Sequence, residues 1–496
     1  MDATITFCRC GKRIGRCIIL VAVCPLIAGI SVRGSELEFP DQLGIQEVVQ
    51  LALGNHFTVA ISEIELEQAE QLRSVRGEPF ETTIGASVTA FRDSSTNPQD
   101  YPYSVEGVQQ SMSVERQFST GTSVQLKMET SAYENLGVDR SGETTLQVTQ
   151  RLLEGRGSDY NLAPIRIADR QQELSREALR QTVIDTVTEA QFAYYDGILA
   201  ESYLEVSKES LELAEQLMEE NQTRAQIGSI ASSDLLQAEA EVALRQDTLY
   251  QAEVGLKQAK NRMKRVLSDQ TREILDWTFV FHPAHEPEKR DITLMQEYDS
   301  ALALRPDYRQ AVLSLEIGEI EQLRQSNLAL PSADLYAQMS YEGWRDTISE
   351  SFRKGFEDEK ADFAVGISVS RSILNRSARA NKLRATLENN RLRLTLRQLE
   401  QAILLDLDNA AAQIDANWKR LESAKRGRIL AQRSLEAEQK RYKTGTSSTF
   451  ILIRLQTDLI NARTRELIAI NDYRKSVVEF DRQTGKILEL HHIDIP

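Results

Sequence analysis

Past residue 24 this 496-residue chain contains no cysteine, because Cys8, Cys10, Cys17 and Cys24 all lie near its start. Once that start is removed, disulfides, thiolate metal sites and cysteine nucleophiles are excluded together. Histidine is nearly as scarce, five in all, four of them in the sets His282 with His285 and His491 with His492. Neither set has the nearby carboxylate and histidine that a metal site requires, so no metal or cofactor is expected. GxxxxGK, HExxH and GxSxG are absent, and no enzyme activity is expected. Aromatic residues make up only 6%, which favours long amphipathic rods over globular cores. Beyond residue 34 no run of about 20 apolar residues could span a membrane as a helix.

What is present begins with a signal. Arg9, Lys12, Arg13 and Arg16 precede the apolar run Cys17 to Ile30, followed by Ser31 and Gly34, which reads as a secretory signal peptide over residues 1–34. Cleavage after Gly34 or after Ser31 fits. Its removal takes away five Lys/Arg and one Asp, leaving 54 basic against 73 acidic residues, a net −19. That balance argues against nucleic acid as a partner.

The chain is then organised around a glycine turn that occurs twice. Arg224-Ala225-Gln226-Ile227-Gly228 recurs as Arg441-Tyr442-Lys443-Thr444-Gly445, Arg on Arg and Gly on Gly, 217 residues apart. Each glycine is followed by Ser/Thr/Asp and then by apolar residues at helical spacing, so each copy predicts a helix end, a tight turn and a new helix. After the first turn Leu235, Ala238, Val242, Arg245, Leu249, Ala252, Leu256, Ala259, Met263 and Val266 keep the 3,4 spacing of a coiled-coil seam. The same register after the second turn gives a weaker seam from Leu452 to Phe480, interrupted by Glu466.

Upstream of each hairpin the pattern also repeats. A helix over residues 45–76 ends at Gly77-Glu78-Pro79, and its counterpart runs from Leu302 to Leu330-Pro331. Alternation follows each proline: Ile84, Ala86, Val88 and Ala90 on one side of a strand, then Ala333, Leu335, Ala337 and Met339. Polar loops are expected at 92–107 and 342–360, and return strands at Thr145–Thr149 and Phe363–Ser370. The first half inserts a further hairpin around Ser119-Thr120-Gly121-Thr122, within residues 108–133, which either adds two strands to the sheet or lies outside it. Helical patterns of roughly 75 residues then lead to each turn, with Pro164 expected to kink the first. Residues 35–267 and 300–485 form two repeats with strands about 82–151 and 333–371, joined by a connector at 268–299 and closed by a tail at 486–496.

Strands long enough to cross a bilayer must close into a barrel, and four or six are too few for one chain. Several chains must therefore share one barrel, and the predicted fold is mainly α with β: duplicated long α-helical hairpins forming an α-barrel, with strands contributing to a shared transmembrane β-barrel. Arg224…Gly228…Asp234-Leu235-Leu236-Gln237-Ala238, Arg441-Tyr442…Gly445-Thr446, Asp472-Tyr473 and Thr484-Gly485 make the mature chain resemble the TolC-type outer-membrane efflux protein family. The resemblance implies a homotrimer in the outer membrane of a Gram-negative bacterium, with a tunnel extending into the periplasm. It further implies a periplasmic adaptor (membrane fusion) protein and an inner-membrane pump or ABC exporter as partners, in tripartite efflux or type I secretion. Arg224, Gly228, Arg441 and Gly445 would form the periplasmic tip turns that meet the adaptor, and Asp234 and Tyr442 a tip gate. The gate's usual basic partner falls at Ser447, and the family's acidic ring at Ile451 and Arg454, so an acidic constriction there is not expected. Asp234 is also suited to capping its helix, and Tyr442 to packing in the seam. The rival reading is a soluble periplasmic coiled-coil adaptor or scaffold.

Overall fold

The computed structural model describes residues 40–96, 102–134, 140–267, 273–345, 347–357, 361–493 and 495. The signal segment 1–34 lies outside them. In the unit Asp41–Pro496, β1 (Gln42–Leu43) leads into α1 (Ile45–Asn55) and α2 (Phe57–Gly77). Four strands follow: β2 (Thr83–Thr96), β3 (Pro102–Gln117), β4 (Thr122–Glu134) and β5 (Arg140–Arg151). A single turn, α3 (Ser158–Asn161), opens onto α4 (Ala163–Gln226), which folds back as α5 (Ser232–Leu267). The second half repeats the order with β6 (Val280–Phe281), α6 (Leu294–Leu304), α7 (Pro306–Asn327), β7 (Ser332–Arg345), α8 (Ile348–Glu357), β8 (Asp362–Ser370), α9 (Arg376–Lys443) and α10 (Thr449–Thr484), then α11 (Ile487–Leu490).

Several local expectations are corrected. The first helix is two helices, broken at His56 (φ −79°, ψ 122°), and its counterpart is broken at Arg305 (φ −70°, ψ 122°). The His56 ring accepts the Thr58 N–H at 3.3 Å, capping α2, while Pro306 opens α7, where a missing N–H has no intrahelical partner to lose. Pro164 likewise sits in the first turn of α4 and starts the helix rather than kinking it. The stretch 268–299 is more than a connector: α6 begins at Leu294, β6 pairs in parallel with β1, and Trp277, Phe279 and Phe281 are buried. Phe279 meets Phe281 edge-on at 5.3 Å, and Phe281 meets Tyr194 of α4 at 6.0 Å, so an aromatic ladder fastens this stretch to the long helix.

The six long strands form one antiparallel sheet in the order β2-β3-β4-β5-β7-β8. The inserted hairpin is part of it, and the loop expected at 92–107 is mostly strand. The loop at 342–360 holds the end of β7 and α8, which packs on β5 and β7 with Ser351 fully buried against Gly142. Register separates the sheet's two faces. Ile84, Val114, Leu126, Leu146, Met339 and Phe363 are successive partners across all six strands, an unbroken apolar row. The next row is Gly85, Ser113, Lys127, Thr145, Ser340 and Asp362, and it faces the other way. On the apolar face Val88 is 73% exposed and Phe363 and Val365 75% each, surface that only lipid or another chain would cover.

Below the sheet the helices form layers that share α4 and α9. Nearer the strands the packing order is α2-α4-α7-α9; toward the glycine turns it is α5-α4-α10-α9. Buried Ala238, Ala252 and Ala259 let α5 lie close along α4, and buried Leu452, Leu459, Tyr473 and Phe480 seat α10. The seams' polar interruptions are paired: Arg245 with Glu241 at 2.5 Å and with the Thr457 hydroxyl at 2.6 Å, and Glu466 with Arg428 at 2.5 Å. Among the described residues no helix is long and apolar enough to cross a membrane.

The tail after Gly485 returns to the core, where Ile487 and Leu488 are buried with Val183, Val187 and Val478. His491 follows, half-buried and bonded to Gln191 of α4. Burial holds its imidazole below the ordinary 6.5, with His492 adding like-charge repulsion. Because the folded pKa is depressed, this site's contribution to stability is full above about pH 6.5 and is lost as pH falls below it, the unfolded chain taking up the proton first. Amide protection factors over residues 487–493, each taken against the intrinsic exchange rate at the same pH, are expected to fall between about pH 7 and 5 in the native chain and to change less in His491→Gln.

Candidate functional site

The two glycine turns lie side by side at the far end of the helical layers. Each closes its helix the same way. Gly228 (φ 72°) and Gly445 (φ 76°) adopt the left-handed conformation, which a Cβ would penalise. The N–H of Ser229 bonds to the Arg224 carbonyl at 2.9 Å, and that of Thr446 to the Arg441 carbonyl at 2.9 Å, while the glycine N–H groups reach Ala225 and Tyr442. These are six-to-one and five-to-two closures of the Schellman type. The Ser229 and Thr446 hydroxyls donate to the same two carbonyls, at 2.9 and 3.0 Å.

The turns are joined by a buried polar cluster. Tyr442 is 3% exposed, and its hydroxyl donates to Asn221 Oδ1 and lies 3.2 Å from the Thr449 hydroxyl. Asn221, fully buried, donates from Nδ2 to Thr449 Oγ1 at 3.2 Å and toward the Asp234 carbonyl at 3.4 Å. One side chain on α4 therefore ties together the start of α5, the end of α9 and the start of α10. The Arg224 guanidinium stacks over the Tyr442 ring at 4.4 Å and reaches its carbonyl at 3.4 Å, a cation–π contact between the two halves. At the position equivalent to Asn221, 217 residues on, stands Glu438, 6% exposed; it accepts from Arg441 at 3.2 Å and from the Ser447 hydroxyl.

Of the residues singled out from sequence, Arg224, Arg441, Gly228, Gly445 and Tyr442 thus meet at one end. Asp234 stands close by, as the third residue of α5 rather than its cap, with its N–H bonded to the Ala231 carbonyl at 3.1 Å. It joins the cluster through its backbone, with Asn221 between it and Tyr442. Ser447 faces Glu438, while Ile451 is 41% exposed and Arg454 is exposed too. Asn221, Glu438 and Thr449 carried no signal of their own in the sequence. Among the described residues no group of three or more His, Cys, Asp or Glu is placed to hold a metal.

Known proteins share this fold. Residues 48–268 match the family model described as Outer membrane efflux protein. The outer membrane efflux protein BepC of Brucella suis biovar 1 (strain 1330) is 22% identical over 321 residues, covering 64% of this chain and 67% of its own. Among solved structures, the Campylobacter jejuni CmeC outer membrane channel has the same fold, with a TM-score of 0.69, 15% identity and coverage of 89% of this chain and 85% of that one. The Neisseria gonorrhoeae MtrE outer membrane channel, in its open state, gives 0.62 and 15%, covering 89% and 88%. The resemblance drawn from the duplicated turns and these matches name one family, the outer membrane efflux proteins.

If Asn221 is the tie between the hairpins, Asn221→Ala leaves the Tyr442 and Thr449 hydroxyls with only each other and is expected to cost about 1–3 kcal/mol, with Tyr442→Phe costing less. Hydrogen exchange over residues 226–234 and 443–451 should rise together in Asn221→Ala, whereas a loss confined to one turn would mean that the turns open independently.

Proposed function

We propose that the chain is one subunit of a homotrimeric, passive, gated export duct, the outer-membrane component of a tripartite efflux or type I secretion system. The observation that carries this reading is a two-faced sheet whose edge strands, among the described residues, pair on one side only. β2 and β8 run antiparallel to each other at opposite edges of the six-stranded order, so β8 of one copy can continue into β2 of the next. The helical layers end the same way. α2 exposes Phe57, Ile61 and Ile64 at one edge, and α9 exposes Leu383, Leu387 and Leu394 at the other, each at helical spacing. Copies joined edge to edge would bury both stripes, pair both edge strands and turn the apolar face to lipid. The polar face then lines water.

The helices would extend into the periplasm and carry the glycine turns to the far end. There Arg224, Gly228, Arg441 and Gly445 would present the tip to a periplasmic adaptor, and the cluster around Tyr442 and Asp234 would hold it shut. Energy would come from an inner-membrane pump or ABC exporter, since the duct has no catalytic part. On the polar face Glu129, Glu143 and Glu342 are direct partners across β4, β5 and β7, in keeping with a lumen that favours cations. Single-channel reversal potentials should show cation preference, reduced in Glu143→Gln; anion preference in the native protein would refute it.

Cell fractionation tests the whole reading. A heat-modifiable, crosslinkable trimer is expected in the outer membrane. Val365→Arg, on the apolar face of β8, should deplete it at a cost of about 2–4 kcal/mol, while Gln338→Arg, on the polar face, should not. A soluble periplasmic monomer or dimer would leave the scaffold reading instead.

A further inference from the structure

The two halves of this chain differ in one large respect. The second goes from α7 through β7 and β8 into α9; the first goes from α2 through four strands into α4, so β3 and β4 are additional. Two independent observations make this hairpin wall rather than appendage. First, register passes through it without a break: Ile84, Val114, Leu126 and Leu146 form one apolar row, and Gly85, Ser113, Lys127 and Thr145 the adjoining polar one. A hairpin standing off the wall would have no need of two opposite faces in step with its neighbours. Second, its turn is fastened where the sheet meets the helices. The carbonyl of Gly121 accepts the Arg151 N–H at 3.0 Å, and that of Thr120 accepts the Gly157 N–H at 3.1 Å. Gly121 has φ 87°, and a Cβ there would lie 2.6 Å from the Gly155 carbonyl oxygen, so the fit leaves no space for a side chain.

We infer that the assembled barrel has eighteen strands, that its lumen is as wide as the helical tube beneath it, and that it passes hydrated polymers about twice as wide as a twelve-stranded barrel would. The inference rests on the trimeric reading above. Eighteen strands spaced about 4.8 Å and tilted about 40° enclose a backbone cylinder about 36 Å across, whereas twelve would enclose about 24 Å. Three copies also bring twelve helices side by side, and at about 8–10 Å between axes these form a ring about 30–40 Å across. The larger barrel therefore continues the helical tube at the same width, and the smaller would narrow it. Allowing about 5 Å of side chain on each wall, half the spacing of packed sheets, leaves a lumen of about 26 Å against about 14 Å. The wider one admits two helices of about 10–12 Å side by side. The polar rows suit an open, wet interior, since Gly85, Ser87, Ser111 and Ser113 on β2 and β3 are small.

The test uses the absence of cysteine from the mature chain. Gln338→Cys, on the polar face of β7, is labelled from outside intact cells with maleimide-polyethylene glycols of increasing mass, in the full chain and in one lacking residues 102–134. The largest polymer radius that still labels is expected to be about twice as great in the full chain. Equal limits would overturn the inference. Should the shortened chain fail to fold, single-particle imaging of the native trimer in a lipid disc decides by strand count: eighteen supports it, and twelve with the hairpin off the wall refutes it. A soluble chain whose Gln338→Cys takes every polymer would overturn the duct reading itself.

Discussion

A strand whose backbone N–H and C=O groups have no partner cannot rest in hydrocarbon, where each unmet group costs several kcal/mol. Among the described residues two such edges, β2 and β8, bound a sheet with an apolar row crossing all six strands on one face. Exposed to water, that face is a liability; in lipid, the edges are. Edge-to-edge closure with further copies satisfies both at once, and the remaining architecture agrees with it. β2 follows α2 and β8 precedes α9, so the strand edges stand over the same helical edges that expose apolar stripes. The edge problem of the sheet and the stripe problem of the helices have the same answer.

The helical part has a different physical basis. Its inner seams are built largely from alanine and leucine, which let helices approach without large side chains, so each contact is weak and the sum depends on length. Specific ties are correspondingly few and polar. Arg245 to Thr457, Glu466 to Arg428 and the Asn221–Tyr442–Thr449 cluster each link the α4–α5 hairpin to the second one, or α9 to α10. Buried polar groups of this kind fix register, because a shift by one turn would leave them unpaired. At the far end the Asn221 cluster and the Arg224–Tyr442 stack join the turns beside a buried apolar group of Leu217, Leu435, Leu452 and Leu459.

Much of this was legible in the sequence because duplication doubles every signal. Glycine at 228 and 445, prolines after both ascending helices, and alternation beginning at once after each proline together pointed to the order of elements and to the family resemblance. What was missed was missed for identifiable reasons. His56 interrupts a continuous apolar period without a proline, so only Gly54-Asn55 marked the break between α1 and α2. The polar composition of 342–360 hid α8, whose seat depends on paired Gly142 and Gly343, residues 201 apart in the chain. Asn221 has partners 13, 221 and 228 residues away, and a lone Asn in a helical run announces none of them. The inserted hairpin was visible as strands, but whether it belonged to the sheet turned on register with β2 and β5, which no local pattern encodes.

That hairpin also illustrates how such a fold can vary. Strands alternate in direction, so only an even number can be added if the chain is to re-enter the helices at the same end of the sheet. Two strands are the least addition that leaves α4 starting where it must, with Gly157 and Asn161 still bonded at the junction. Nothing in the helical layers needs to change: the edges remain β2 and β8, and β5 still pairs with β7. Barrel circumference is therefore separable from the helical tube, and the first half of this chain carries the addition while the second keeps the shorter form. The duplication sets the tube, and the hairpin sets the width of its mouth.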